Sequence, residues 1–248
     1  MAHVLLGTLS CGEADLDRCM AAARAQTYPC EQYVIANLPE PEANYRLYRT
    51  FFESTADFMI RLDADMVLSS PDAVRTMVER IEAGAWHKVS HPVADFFTDR
   101  PIMGIHIYSR KVEFDWAAFR SGELHPDRRN SVLRASKEER ARIWKIYDEP
   151  LALHCHFADD HQSFHFGFHR RMKNQLDVCR RVAEHAERNP DPRLAWACLG
   201  ALAAHAWPDA AAVSYGTLFD DVVSRAAATW PLERASALLR DALTPVAS

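Results

Sequence analysis

Two carboxylates one residue apart, Asp63 and Asp65, sit in the run Arg61-Leu62-Asp63-Ala64-Asp65-Met66 between the apolar stretches Phe58-Met59-Ile60 and Val67-Leu68. A short continuous apolar stretch is the pattern of a strand buried on both faces, and ligands of open α/β sheets sit beyond strand carboxyl ends. Both side chains are therefore expected at a rim where substrate binds. Paired hard oxygen donors suit Mg²⁺ or Mn²⁺, ions that also take substrate phosphates as ligands. The alternative is a solvated turn, since this spacing also occurs in ordinary loops. Arg61 shares a strand face with Asp63 by the period of two, and an arginine inside an apolar strand needs a partner.

A second concentration of chemistry lies late in the chain. His154, His156, His161, His165 and His169 fall in the segment His154-Cys155-His156-Phe157-Ala158-Asp159-Asp160-His161-Gln162-Ser163-Phe164-His165-Phe166-Gly167-Phe168-His169. His161, His165 and His169 recur every fourth residue, as on one side of a helix, whereas Phe164, Phe166 and Phe168 alternate as in an extended stretch. The two patterns conflict. A zinc set from His154, Cys155, His156 and His161 lacks the paired spacing usual for such sites.

The elements that would position these residues can be read from the flanks. Val4-Leu5-Leu6-Gly7-Thr8-Leu9 is a buried-strand pattern that ends at Ser10-Cys11-Gly12. Leu16, Cys19, Met20 and Ala23 give residues 15–25 a helical apolar face. Gln26-Thr27-Tyr28-Pro29 turns the chain into a second strand, Tyr33-Val34-Ile35-Ala36. A helix over residues 45–54 then leads to the strand that carries the aspartates. Further on, Val74, Met77, Val78 and Ile81 mark a helix that Gly84 ends. Strands are expected at Lys88-Val89-Ser90 and at residues 104–109, with a loop at residues 95–100 between them. Residues 121–140 are polar and basic and read as an exposed connection or a mobile loop. From residue 172 the pattern is wholly helical, with a break at Asn189-Pro190-Asp191-Pro192.

Over roughly residues 4 to 80 this order, with the Ala-Gln-Thr-Tyr-Pro turn and Leu-Asp-Ala-Asp, resembles the nucleotide-binding half of family 2 and related glycosyltransferases of the GT-A fold. The resemblance implies an α/β GT-A domain, a Rossmann-like sheet flanked by helices, over residues 1–171, with a helical C-terminal extension over residues 172–248. It implies transfer of a sugar from a nucleotide diphosphate sugar to a sugar or glycan acceptor. The metal would be Mn²⁺ or Mg²⁺, held by Asp63, Asp65 and, as the late histidine of many relatives, His154, with His156 in reserve. A mixed carboxylate and imidazole set favours Mn²⁺. Thr8, Ser10, Asn37, Arg46, Arg49, Arg61, Asp63 and Ala64 would line the donor, and arginines could stabilise charge on the departing diphosphate. Arg46 and Arg49 could equally be solvated helix charges, and Asn37 an ordinary turn residue. Many relatives carry acidic residues and a serine where this chain has Asn37-Leu38-Pro39-Glu40, so the nucleobase stays open. Asp160, or else Asp95, would be the base of an inverting reaction, although the stereochemical outcome is also open.

Two other functions compete. A nucleotidyltransferase typically opens with a glycine-rich basic phosphate loop, and Leu6-Gly7-Thr8-Leu9-Ser10-Cys11-Gly12 has no lysine. A catalytically silent GT-A module serving binding or assembly would not need intact Asp63, Asp65 and His154. A net charge of −5 supplies no electrostatic footprint for nucleic acid. No apolar run reaches membrane-spanning length and no signal segment opens the chain, so a cytoplasmic enzyme with reduced cysteines is expected. The apolar stripes of the C-terminal helices are expected to bury against the sheet domain or a second copy of the chain.

Overall fold

The computed structural model describes residues 1–114, 116–120, 142–207 and 217–244. The expected connection over residues 121–140 lies outside them. The described chain divides into two compact units, Met1–Ala94 with Pro101–His154, and Asp95–Arg100 with everything from Cys155 onward.

The first unit is a mixed α/β sheet flanked by helices. Its elements run β1 (Val4–Ser10), α1 (Leu16–Arg24), β2 (Cys30–Ala36), α2 (Glu40–Glu53), β3 (Phe58–Asp63), β4 (Met66–Leu68) and α3 (Ala73–Ala83). They continue as β5 (Lys88–Asp95), β6 (Arg100–Ser109), α4 (Trp116–Arg120), β7 (Trp144–Ile146) and β8 (Ala152–His154). The strand order is β2-β1-β3-β6-β5-β8-β4, with β7 alongside β5. β1 pairs in parallel with β2 on one side and β3 on the other, whereas β6 runs antiparallel to β3. The connection thus reverses direction across the sheet at β1, and the crevice at such a switch point is where open α/β sheets take ligands.

Alternation along the strands splits the core between two faces. Leu6, Ile60, Leu62 and Ile107 turn to the α1 and α3 side; Leu5, Met59 and Tyr108 turn to α2. Gly7 lets α2 approach β1 closely, since a Cβ there would stand 2.1 Å from the Leu47 side chain. All six cysteines are free, and burial pushes the Cys19 thiol up to about 12.

A polar clamp fixes the segment that leads into β8. Arg80 on α3 ion-pairs with Glu149 and lies 3.2 Å from His91 Nδ1, and the His91 ring stacks on Tyr147 at 5.2 Å. His91 is fully buried, and burial together with the Arg80 guanidinium lowers its pKa from 6.5 to about 4. Below pH 6.5 the unfolded chain therefore takes up a proton that the folded chain refuses until about pH 4. Stability should fall across that window by up to about 3 kcal/mol from this group, at 1.36 kcal/mol per pKa unit. Urea unfolding at pH 7 and pH 4.5 should show a larger loss for the wild type than for His91→Phe. Equal losses would show that His91 does not titrate in this way.

The second unit is helical beyond the β5–β6 turn. It contains α5 (Asp160–Met172), α6 (Leu176–Arg188), α7 (Pro192–Ala206), α8 (Thr217–Thr229), a 3₁₀ turn (Leu232–Arg234) and α9 (Ala235–Leu243). Asp159 caps α5 by accepting from Gln162 N at 2.7 Å, and Asp191 caps α7 at the expected break. The conflict between the histidine and phenylalanine patterns resolves as helix. Phe164 and Phe168 are four apart and frame Phe219, while Phe166 stacks on Phe97 at 4.3 Å. The helix is buried on more than one side, so its phenylalanines do not form a single stripe. The observed division at His154–Cys155 differs from the boundary expected at 171/172, because α5 packs on α7 within the helical unit.

Candidate functional site

The carboxyl ends of β1, β2 and β3 lie side by side in the register Leu9↔Asp63 and Ser10↔Ala36. Two backbone bonds tie their loops together: Asn37 N donates to Ser10 O and Ala64 N donates to Leu9 O, each at 2.9 Å. Asn37 takes a left-handed φ of 58°, a conformation that asparagine tolerates better than most residues. After β1 the Ser10 hydroxyl donates to Glu13 at 2.8 Å, and the same carboxylate accepts from Cys11 N. Thr8 is wholly buried in β1.

Asp63 ends β3, and Asp65 follows in the turn to β4. Arg61, 7% exposed, donates to Asp63 Oδ1 at 3.0 Å, so the arginine in the apolar strand does have a carboxylate partner on its own face. The antiparallel ladder between β4 and β8 sets Met66 opposite His154. That pairing brings His154 Nε2 to 3.3 Å from Asp65 Oδ2, with the imidazole 6% and the carboxylate 24% exposed. An aspartate and a histidine some ninety positions apart thus face each other beside Asp63. Among the described residues, Asp65, His154 and the adjoining Cys155 bring a carboxylate oxygen, an imidazole nitrogen and a thiol sulfur within 4.8 Å of one another, a set that could hold a metal ion and that does not include Asp63. The field around it also suits a cation. The Cys11 thiol is pushed up first by burial and then by Glu13, Glu40, Asp63 and Asp65, which together make the rim acidic.

The remaining expected residues stand elsewhere. Arg46 and Arg49 occupy the outward face of α2, with Glu42 and Glu53 one helical turn from them. Asp160 opens α5 and is exposed, whereas Asp95 is buried and accepts from Thr98 N at 2.8 Å and Thr98 Oγ1 at 2.6 Å. Asp95 therefore braces the β5–β6 turn; both candidate bases belong to the second unit. The four-residue zinc set does not assemble: His161 Nε2 pairs with Asp220 at 2.9 Å and the His156 ring packs edge-on against Phe96. After β6 the chain carries one element that the sequence does not announce, α4. Trp116 and Arg120 on α4 face Arg49 and Tyr45 of α2, and no motif marks them.

No protein-family model matches the sequence, and no curated protein matches it significantly. Among solved structures the chain is similar to the mannosyltransferase PcManGT from Pyrobaculum calidifontis in complex with GDP-Man and Mn²⁺. That likeness has 15% identity over 97% of this chain and 84% of the other, at a TM-score of 0.43. A glycosyltransferase involved in the glycosylation of the major capsid of PBCV-1 is similar at 9% identity over 62% of this chain and 94% of that one, with a TM-score of 0.40. CMP:2-keto-3-deoxy-manno-octonic acid synthetase complexed with CTP is similar at 11% identity over 61% and 91%, with a TM-score of 0.37. Likenesses this distant leave the chemistry to be read from the residues of the site.

Proposed function

We propose that the chain is a metal-dependent glycosyltransferase of the GT-A kind, moving a sugar from a nucleotide diphosphate sugar to an acceptor hydroxyl. One observation carries the reading: a carboxylate–imidazole pair, Asp65 with His154, stands beside Asp63 at the carboxyl rim of a sheet switch point.

Asp65 and His154 would hold Mn²⁺ directly. Asp63, fixed by Arg61, would meet the ion through water or take a donor hydroxyl. When bound, the ion supplies a Lewis acid that neutralises the diphosphate oxygens. The loops after β1 and β2 would flank the nucleotide, with Ser10 and Asn37 at their ends. Asn37 offers its amide to a base edge, and its backbone N–H is already committed to Ser10 O. Arg61 is held on Asp63, where its positive charge would face a bound diphosphate and leave Asp65 and His154 to the ion. Asp160 is the candidate base that the resemblance implies, and Asp95 is already held by Thr98. Coordination requires a neutral imidazole, so metal affinity should weaken as His154 protonates.

The test is calorimetry with a panel of nucleotide diphosphates, with and without Mn²⁺, followed by donor hydrolysis. Metal-dependent binding of one diphosphate with slow hydrolysis of its sugar ester is the expected result. Preferential binding of a nucleoside triphosphate with pyrophosphate release would indicate a nucleotidyltransferase. Binding with no turnover on any donor would indicate a silent module.

A further inference from the structure

The outer face of α2 carries a feature that the donor site does not use. Inward-facing Leu47, Tyr48 and Phe51 seat the helix on the sheet, and the opposite face opens on a groove of about 760 Å³. Small-molecule sites typically have volumes of about 300–1,000 Å³. The groove starts at Pro39, two residues past Asn37, and runs to Glu53, with Arg46, Arg49 and Arg120 along it. The three guanidiniums face two carboxylates: Glu53 ion-pairs with Arg49 at 2.5 Å, and Glu42 lies 4.0 Å from Arg46. Among the described residues no carboxylate pairs with Arg120.

The arginines are also ordered in advance. The Arg120 guanidinium lies 5.8 Å over the Tyr45 ring and that of Arg49 lies 5.1 Å over Trp116. Tyr45 and Trp116 meet edge to face at 6.1 Å, so each helix lends a ring to the other's arginine. A guanidinium stacked on a ring is pre-oriented for the two parallel hydrogen bonds that a phosphate or carboxylate accepts, and loses less entropy on binding; Arg49 would exchange Glu53 for such an anion. The lining carries a net charge of +1 on a chain of net charge −5.

We propose that this groove binds the acceptor and that the acceptor is anionic, bearing phosphate or carboxylate groups. The binding site stands on the groove alone; the word acceptor rests on the transferase reading above. One end of the groove begins next to the rim at Asn37, so an extended ligand could run from the arginines toward the donor.

The two claims separate in one experiment on the full chain. Titration of Trp fluorescence is carried out in EDTA, where the metal-centred site is silent, with tripolyphosphate, an oligouronate and a neutral oligosaccharide. At least one anion should bind, weakening with salt, and Arg120→Ala with Arg49→Ala should reduce its affinity at least tenfold. Arg24→Ala on α1 across the sheet, the same charge change as Arg120→Ala alone, should leave it unchanged. Tighter tripolyphosphate or tighter oligouronate binding identifies which anion the groove prefers, and either supports the proposal. Equal affinity for the neutral oligosaccharide, equal loss in Arg24→Ala, or no binding at all would overturn it. Anion binding by a chain that shows no metal-dependent donor binding would uphold the groove and remove the transferase reading.

Discussion

Asp65→Ala should lower metal-dependent donor turnover roughly a thousandfold, the equivalent of about 4 kcal/mol of transition-state stabilisation. The size follows from the loss of a Lewis acid that holds developing charge on a leaving diphosphate. The fold should survive, because Asp65 occupies a turn and its side chain is partly exposed. Asp65→Asn keeps the shape and removes the charge, so it should behave nearly as badly; a merely steric role would spare it. His154→Ala should weaken Mn²⁺ binding strongly, and His161→Ala, whose imidazole is engaged with Asp220, should not. Donor turnover that is the same in EDTA and in Mn²⁺ would sink the whole assignment.

Much of the sheet was legible because its physics is local. An uninterrupted apolar run such as Phe58-Met59-Ile60 buries on both faces, and its first carboxylate then marks the strand's end. The Arg61–Asp63 ion pair was readable for the same reason, from a period of two and the cost of an unpaired buried charge. The approach of His154 to Asp65 was not readable from the residues. It depends on two three-residue strands, β4 and β8, that are far apart in the chain and too short to leave a periodic signature. Only the resemblance to a family pointed to that histidine. Arg46 and Arg49 show another limit. Spacing placed them on one face of α2, but which face α2 buries was decided by Leu47 against Gly7 and by the aromatic cluster behind it. The division between units was hidden too, because α5 carries histidines and phenylalanines at periods that a single-stripe reading cannot combine.

The helical unit makes the second large prediction. α5 and α7 cross at two glycines, where a Cβ on Gly167 would stand 1.7 Å from Ala197 O and one on Gly200 2.0 Å from Phe164 O. Both obstacles are backbone, so no side chain can rotate out of the way. Alanine is the better helix former by about 1 kcal/mol, which on its own would favour the substitution. The contact reverses the sign. To admit the methyl the helices must separate, and Phe164, Leu199 and Cys198 lose packing in the core between them. Overpacking of this kind typically costs about 1–3 kcal/mol, and the upper end is expected where the obstacle is rigid. Gly167→Ala should therefore lower the unfolding free energy by roughly 2 kcal/mol net. Gly12→Ala makes the comparison, because nothing lies within 4 Å of its Cβ but its φ is +97°. Backbone strain alone should cost it roughly 1–2 kcal/mol. Chemical denaturation of the two variants should rank Gly167→Ala as the more damaged. A Gly167→Ala protein as stable as the wild type would mean that α5 and α7 do not approach each other this closely.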